Sequence, residues 1–323
     1  MDCTNKLRVI YGDSTLGVHG VTALGSSFSY IFNYACGGME SLVIGEKEWL
    51  YRVPKPTFWR ALTDNDRGNK FHFRCGMWLT ADMYIKCKGA DVKVEGNDIP
   101  FPIGPENNKY SNHETAEKIS ITFTYETCTI PTTIVTVTYE VVAGGKIKVE
   151  TFFKGNQELP QLPVFGLRFL MPTAADGYEY EGLSGETYPD RMAGGIPGVY
   201  QIKGMPVTKY LVPQECGMHM NTKWVTVTRS ATLNNVDQGK TPFSLKFSAD
   251  SENFAFSCLP YTAEELENAT HQEELPPVRR TVLGIFGAVR GVGGMDSWWA
   301  DVEKAYQIDA DKDICFSFTI EGV

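Results

Sequence analysis

The run Ile119-Ser-Ile-Thr-Phe-Thr-Tyr125 alternates apolar and polar side chains without a break. Successive side chains of a strand point to opposite faces, so this pattern describes a strand with one dry face and one wet face. The same alternation returns in Ile134–Tyr139, Lys146–Phe152, Trp224–Thr228, Phe243–Phe247, Phe254–Cys258 and Cys315–Ile320. Ala143-Gly144-Gly145, set between two of these runs, reads as a tight hairpin connection. Strands recurring at short spacing, punctuated by 31 glycines and 17 prolines, predict a large antiparallel sandwich or barrel. Helix signals are few. Thr262-Ala-Glu-Glu265 is a capping box that predicts a short helix, and Trp299–Tyr306 is a second candidate.

A chain of 323 residues with 42% apolar side chains can bury a sizeable core, which excludes disorder, collagen and coiled coil. With no internal repeat and no linker, residues 1–323 are expected to form one domain. A net charge of −9 argues against nucleic acid and anionic membranes, which select clustered Lys and Arg. No apolar run reaches a bilayer-spanning length, and the N-terminal stretch lacks the apolar core of a secretory signal, so a cytoplasmic location is expected. The eight cysteines, Cys3, Cys36, Cys75, Cys87, Cys128, Cys216, Cys258 and Cys315, are scattered without a C-x-x-C pair. They read as reduced thiols, and the histidines show no zinc-ligand spacing.

Four stretches carry polar groups in patterns too specific for plain strands. The first is Phe58-Trp-Arg-Ala-Leu-Thr-Asp-Asn-Asp-Arg-Gly68. Its Asp64-Asn65-Asp66 cluster suggests a calcium loop, but the glycine and distal glutamate of an EF-hand do not follow at the required spacing. The competing reading is a turn stapled by side-chain hydrogen bonds, with Arg60 pairing one carboxylate. Gly68 opens a polar stretch to about Lys70, a plausible hinge. The second is Gly182-Leu-Ser-Gly-Glu-Thr-Tyr-Pro-Asp-Arg191, where Glu186, Asp190 and Arg191 form either a site or an ion-pair network. The third is Tyr210-Leu-Val-Pro-Gln-Glu-Cys-Gly-Met-His219. The fourth is Gly291-Val-Gly-Gly-Met-Asp-Ser-Trp-Trp299. Two adjacent tryptophans cannot both enter a strand core, so one is expected to be exposed, stacked on a ligand, or docked on another chain. Stacking on a pyranose covers roughly 50–80 Å², worth on the order of 1–2 kcal/mol.

Taken together and in this order, the stretches resemble the C-terminal domain of the glycoside hydrolase family 2 β-galactosidases. The family's R-A-P-T-D-N-D-x-x-G segment stands here as RALTDNDRG, with Leu62 in place of proline. Its G-x-G-P-x-E-x-Y-x-D-R segment stands as GLSGETYPDR, its P-Q-E-N-G segment as PQECG with Cys216 for asparagine, and its D-S-W as Asp296-Ser297-Trp298. Met295, Trp299 and Glu303 also depart from the family's commoner residues. The resemblance covers the chain from about Lys6 to its end and is similar to the small-subunit type of the two-chain enzymes.

The resemblance implies an all-β fold, an antiparallel β-supersandwich of the galactose-mutarotase-like type with one or two short helices. It implies a large-subunit partner that carries the catalytic carboxyls of a retaining hydrolase of β-galactosides such as lactose. No catalytic residue is expected in this chain. Trp298, with Asp296 and Ser297, would form a wall of the sugar pocket. The stretch from Gly68 would be a mobile loop anchored by Arg60, Asp64, Asn65 and Asp66. Glu186, Tyr188, Asp190 and Arg191 would hold the scaffold. Mg2+ and Na+ are expected on the large subunit, with no cofactor or metal here. A second reading from another class is a stand-alone aldose epimerase or carbohydrate-binding module, which would draw on His113, His219 or His271 for proton transfer.

Overall fold

A computed structural model describes residues 6–237 and 239–323. Cys3 therefore lies outside the described residues, and the other seven cysteines are free thiols. The described residues form three antiparallel sheets of six, ten and five strands. Each alternating run becomes a strand: Lys118–Glu126, Ile134–Val142, Ile147–Phe153, Trp224–Arg229, Phe243–Ala249, Phe254–Leu259 and Ile314–Gly322. The Ala143–Gly145 connection joins two paired strands, and Gly144 and Gly145 sit at φ +91° and +80°, where a Cβ would be strained.

The ten-stranded sheet keeps one face wet. Ile119, Ile121, Phe123 and Tyr125 are buried, while the alternate Ser120, Thr122 and Thr124 are half-buried on the other face. Its dry face meets both smaller sheets. Phe316 and Phe318 contact Phe165 and Phe169 of the five-stranded sheet at ring separations of 5.8 and 6.2 Å. Toward the six-stranded sheet, Tyr139 packs on Phe32, and Tyr125 and Tyr30 donate hydrogen bonds to the Gly37 and Gly145 carbonyls across the layers. The two hydroxyls thereby avoid the cost of burying an unpaired polar group.

The five-stranded sheet positions the polar stretches. Its strand Val164–Met171 is flanked by Arg52–Thr57 on one side and Thr281–Val289 on the other. Thr57 is registered with Gly166 and Val289 with Val164, so both flanking strands leave the sheet at the same edge. Phe58-Trp59-Arg60 follows the first and Arg290-Gly291 the second. Two segments more than two hundred residues apart are thus delivered side by side.

The predicted helix begins where its capping box places it: the Thr262 hydroxyl accepts the Glu265 N–H, and the helix spans Ala263–Asn268. The second predicted helix does not form. Trp299 adopts φ +65°, outside the right-handed region, and only Lys304–Tyr306 makes a short 3-10 turn. The Asp301 carboxylate is drawn to Arg290 and Arg74, which fixes an irregular path through the residues a helix would have used.

Candidate functional site

The first and second polar stretches brace the fourth, a tryptophan-bearing loop, and the third stands behind them. Asp66 is the centre of the assembly. It is the third residue of a one-turn helix, Asp64–Gly68, whose N-cap Thr63 hydroxyl accepts the Asp66 N–H while the Asp66 carboxylate accepts the Thr63 N–H. The aspartate cluster is therefore a capping box and not a cation loop. Arg60 approaches Asp66 at 2.6 Å, as its sequence position suggested, and Arg290 approaches the second carboxylate oxygen at 3.1 Å. All three side chains are almost wholly buried. Burial opposes the Asp66 charge, but the Arg60 guanidinium and the cap hydrogen bonds outweigh it, and its pKa lies below the usual carboxylate value. Arg290 stacks over Phe71 at 3.8 Å and extends the chain of charges to Asp301, which also pairs with Arg74 at 2.7 Å.

This network holds the loop by its backbone. Arg60 donates to the Gly291 carbonyl at 3.1 Å, and the Asn65 amide donates to the Val292 carbonyl at 3.0 Å. From the opposite side, Asp190 accepts the N–H groups of Val292 and Gly293 at 3.0 and 2.7 Å, and Arg191 donates to the Gly293 carbonyl. Asp190 and Arg191 thus bind the loop backbone. Their own ion pair is loose, at 3.9 Å. Further along, Asp296 accepts the N–H groups of Trp298 and Ala300 at 2.9 and 3.2 Å, which folds the loop tip into a turn.

The tip presents its aromatics outward. Trp298 is 86% exposed and Trp299 is 56% exposed, with Ser297 and Asp296 also at the surface. Trp299 lies against Gly68, and a Cβ built on Gly68 would fall 1.7 Å from its ring. The stretch from Gly68 is helical in the structure, with Phe71–Cys75 forming another single turn after Lys70 at φ +61°. Gly68 closes a helix and makes room for an indole.

Glu186 and Tyr188 stand one layer back. Glu186 accepts the Gly217 N–H and the Thr208 hydroxyl, each at 2.9 Å. Tyr188 is buried and donates to Glu215 at 3.4 Å. Burial pushes the Glu215 carboxyl up to about 7, against the pull of the Arg60 charge. Asp64 meets Gln214 twice, through its N–H at 2.9 Å and its carboxylate at 3.1 Å. Both departures from the family pattern here have local partners. The Leu62 N–H, which a proline would lack, donates to Glu267 at 2.7 Å, and Cys216 packs with Ala61, Leu259 and Leu266.

The histidines are dispersed. His219 is buried, stacked 4.7 Å from Phe256 and hydrogen-bonded to Tyr178 at 3.1 Å, and burial lowers its pKa to about 4. His113 and His271 are exposed. Among the described residues no group of three or more His, Cys, Asp and Glu side chains is placed to hold a metal ion, and no helix is long and apolar enough to cross a membrane. Sequence reading passed over Arg290, Asp301, Gln214 and Glu267. An arginine directly after an apolar strand and directly before Gly-Val-Gly-Gly was the available signal for the first.

The sheets and this braced loop define an antiparallel supersandwich domain that displays a tryptophan turn on a buried ionic base. A family model described as beta galactosidase small chain matches residues 24–320, and the chain belongs to that family. It is 59% identical to the β-galactosidase small subunit of Latilactobacillus sakei over 98% of each chain. It is 33% identical to a β-galactosidase of Halalkalibacterium halodurans and 31% identical to one of Bifidobacterium adolescentis, covering 98% and 96% of this chain. It spans only 28% and 27% of those two relatives. A galactose mutarotase-like protein from Lactobacillus casei aligns over 98% of this chain and 100% of its own at 10% identity and a TM-score of 0.41, a likeness too distant to bear on activity.

Proposed function

We propose that this chain is the small subunit of a two-chain β-galactosidase and acts with a large catalytic subunit in hydrolysing terminal β-D-galactosides such as lactose. The observation that carries the reading is the outward-facing Trp298 on a loop held at both ends by buried charge. A flat indole fixed in place costs little further entropy when a sugar stacks on it, and this suits a pocket wall. Asp296 and Ser297 flank it at the tip. Arg60, Asp64, Asn65 and Asp66 support that wall from beneath, and Glu186, Tyr188, Asp190 and Arg191 hold the scaffold around it.

The two carboxyls of the retaining mechanism belong to the large subunit, as do the expected Mg2+ and Na+ sites. The helical stretch beyond Gly68 then borders the pocket, and its movement would gate the bound galactose. The chain works as one domain in the cytoplasm. The epimerase reading is weaker: His219 is the one buried histidine, and it is enclosed by Tyr178, Tyr180 and Phe256 with its proton affinity already depressed.

The test is hydrolysis of a chromogenic β-galactoside by the purified chain, alone and mixed with a large β-galactosidase subunit. Activity only on mixing supports the proposal. Robust activity of the chain alone, or interconversion of free galactose anomers without a partner, would sink it.

A further inference from the structure

The segment Phe71–Ile85 has apolar side chains on both of its faces. Phe71, Cys75, Trp78 and Ala81 point inward and are buried, and the Trp78 indole donates to the Pro160 carbonyl at 3.1 Å. That spacing completes one amphipathic face and leaves nothing further to bury. The outer side should then be polar. It carries instead Phe73, Met77, Leu79, Met83 and Tyr84, of which Phe73 is 78%, Tyr84 65% and Met83 62% exposed. Singly scattered apolar residues are ordinary at a surface; five large ones within twelve residues are a patch that water does not favour.

The patch adjoins two other features. At one end Arg74, next to Phe73, is tied to Asp301 of the tryptophan loop, so the patch adjoins the loop that carries Trp298. At the other end Met83 lines a cleft of about 800 Å³. Five cations border this cleft: Arg52, Lys55, Arg168, Arg279 and Arg280. Arg168 is shared by Asp82 and Glu264, while Arg279 and Arg280 share the single carboxylate of Glu265. Arg52 and Lys55 have no ion-pair partner among the described residues. Five cations against three carboxylates is a local excess of positive charge on a chain whose net charge is −9.

We infer that the outer face of Phe71–Ile85 and the adjoining cationic cleft form the docking surface for the large catalytic subunit, which covers the patch with apolar side chains and places an acidic segment in the cleft. The inference rests on the small-subunit reading. The charge excess selects a carboxylate-bearing occupant over a second copy of this chain, which would bring the same cations to the cleft. The matched relatives from Halalkalibacterium halodurans and Bifidobacterium adolescentis carry this region as 28% and 27% of a longer polypeptide, so a much larger body of chain belongs beside it. A face continuous with Trp298 is also where such a body must sit if the indole is to line a shared pocket.

The experiment measures binding of the full chain, wild type and variants, to a large β-galactosidase subunit. The double variant Phe73→Asp/Met83→Asp, with an unchanged circular dichroism spectrum, is expected to bind about thirtyfold more weakly or worse, the effect of losing a central interface anchor. Lys55→Glu/Arg279→Glu is expected to slow association and flatten its salt dependence. Leu24→Asp, in the exposed connection between Thr15–Val21 and Ser27–Asn33 of the six-stranded sheet, is expected to bind like the wild type. Hydrogen exchange on the wild type is expected to show Phe71–Ile85 protected in the complex, and this reports even if the double variant fails to fold. A folded double variant with wild-type affinity, or no protection across Phe71–Ile85, overturns the docking surface and leaves the subunit reading intact. Weakened binding with salt dependence untouched by the cleft variants overturns the acidic occupant. No complex with the wild type overturns both.

Discussion

Trp299 rests on Gly68 so closely that a methyl group at position 68 would occupy the space of the indole ring, 1.7 Å from its nearest carbon. The glycine is at the C-terminal end of the Asp64–Gly68 helix, and the tryptophan is at left-handed φ in the loop above it. A helix end and a loop tip are thereby set against each other, with the Arg60–Asp66–Arg290 cluster buried beneath both. Gly68→Ala should force Trp299 off its seat at a cost of about 1–3 kcal/mol if the loop resists. If the loop yields, Trp298 moves with it, and turnover of the assembled enzyme should fall by about tenfold to a hundredfold. Urea denaturation and steady-state kinetics on the same complex separate the two results, and a variant unchanged in both would contradict the contact.

Trp298 has no such buried contact to lose. Trp298→Ala should leave stability and assembly within about 0.5 kcal/mol of the wild type, as for an exposed surface position. Binding of a galactose-based inhibitor or acceptor sugar should weaken by about tenfold or more, the value of one stacked aromatic face. Inhibition constants of the assembled mutant provide the measurement, and unchanged constants would remove Trp298 from the pocket wall.

Asp66→Ala should be severe for a different reason. It leaves two buried guanidinium groups facing one another without their shared carboxylate, and breaking a buried pair in this way costs about 3–5 kcal/mol. Chemical denaturation of the isolated chain reads this directly. The same carboxylate sets acid stability. Its folded pKa is depressed, so its stabilisation is present above the unfolded value of about 4 and is lost as the pH falls below it. Unfolding midpoints at successive pH values below about 4 should drop more steeply in the wild type than in Asp66→Asn.

Glu215 runs the other way. Burial raises its carboxyl to about 7, so the folded chain holds a proton that the unfolded chain releases near pH 4.3. Its contribution is fully present below about pH 4.3, declines as the pH rises to about 7, and is gone above that. Glu215→Gln keeps the neutral shape at every pH. It should therefore flatten the loss of stability between about pH 4.3 and 7 and leave the variant more stable than the wild type at pH 8, by on the order of 3–4 kcal/mol. A variant less stable than the wild type at pH 8 would show that the ionised carboxylate is held favourably by Arg60 and Arg168.

Alternation settled the seven runs read as strands, six of them in the ten-stranded sheet, because a half-buried sheet imposes a period of two. Val164–Met171 and Thr281–Val289 are buried along nearly their whole length and carry no such signal. The Ala143–Gly145 turn and the Thr262–Glu265 cap were legible for a local reason: each is satisfied by residues adjacent in sequence. The pairing of Arg60 with Asp66, six residues on, also lay within that reach. The helix expected over Trp299–Tyr306 failed where locality ended, since Asp301 answers to Arg290 and Arg74 instead of to its own neighbours. The partners of Asp190 are backbone N–H groups of Val292 and Gly293, which no composition can announce. Gly68 read as a hinge because its missing side chain says only that space is needed there. That the space belongs to Trp299 was decided by the five-stranded sheet, whose two flanking strands release Phe58 and Arg290 at one edge and bring distant segments into contact.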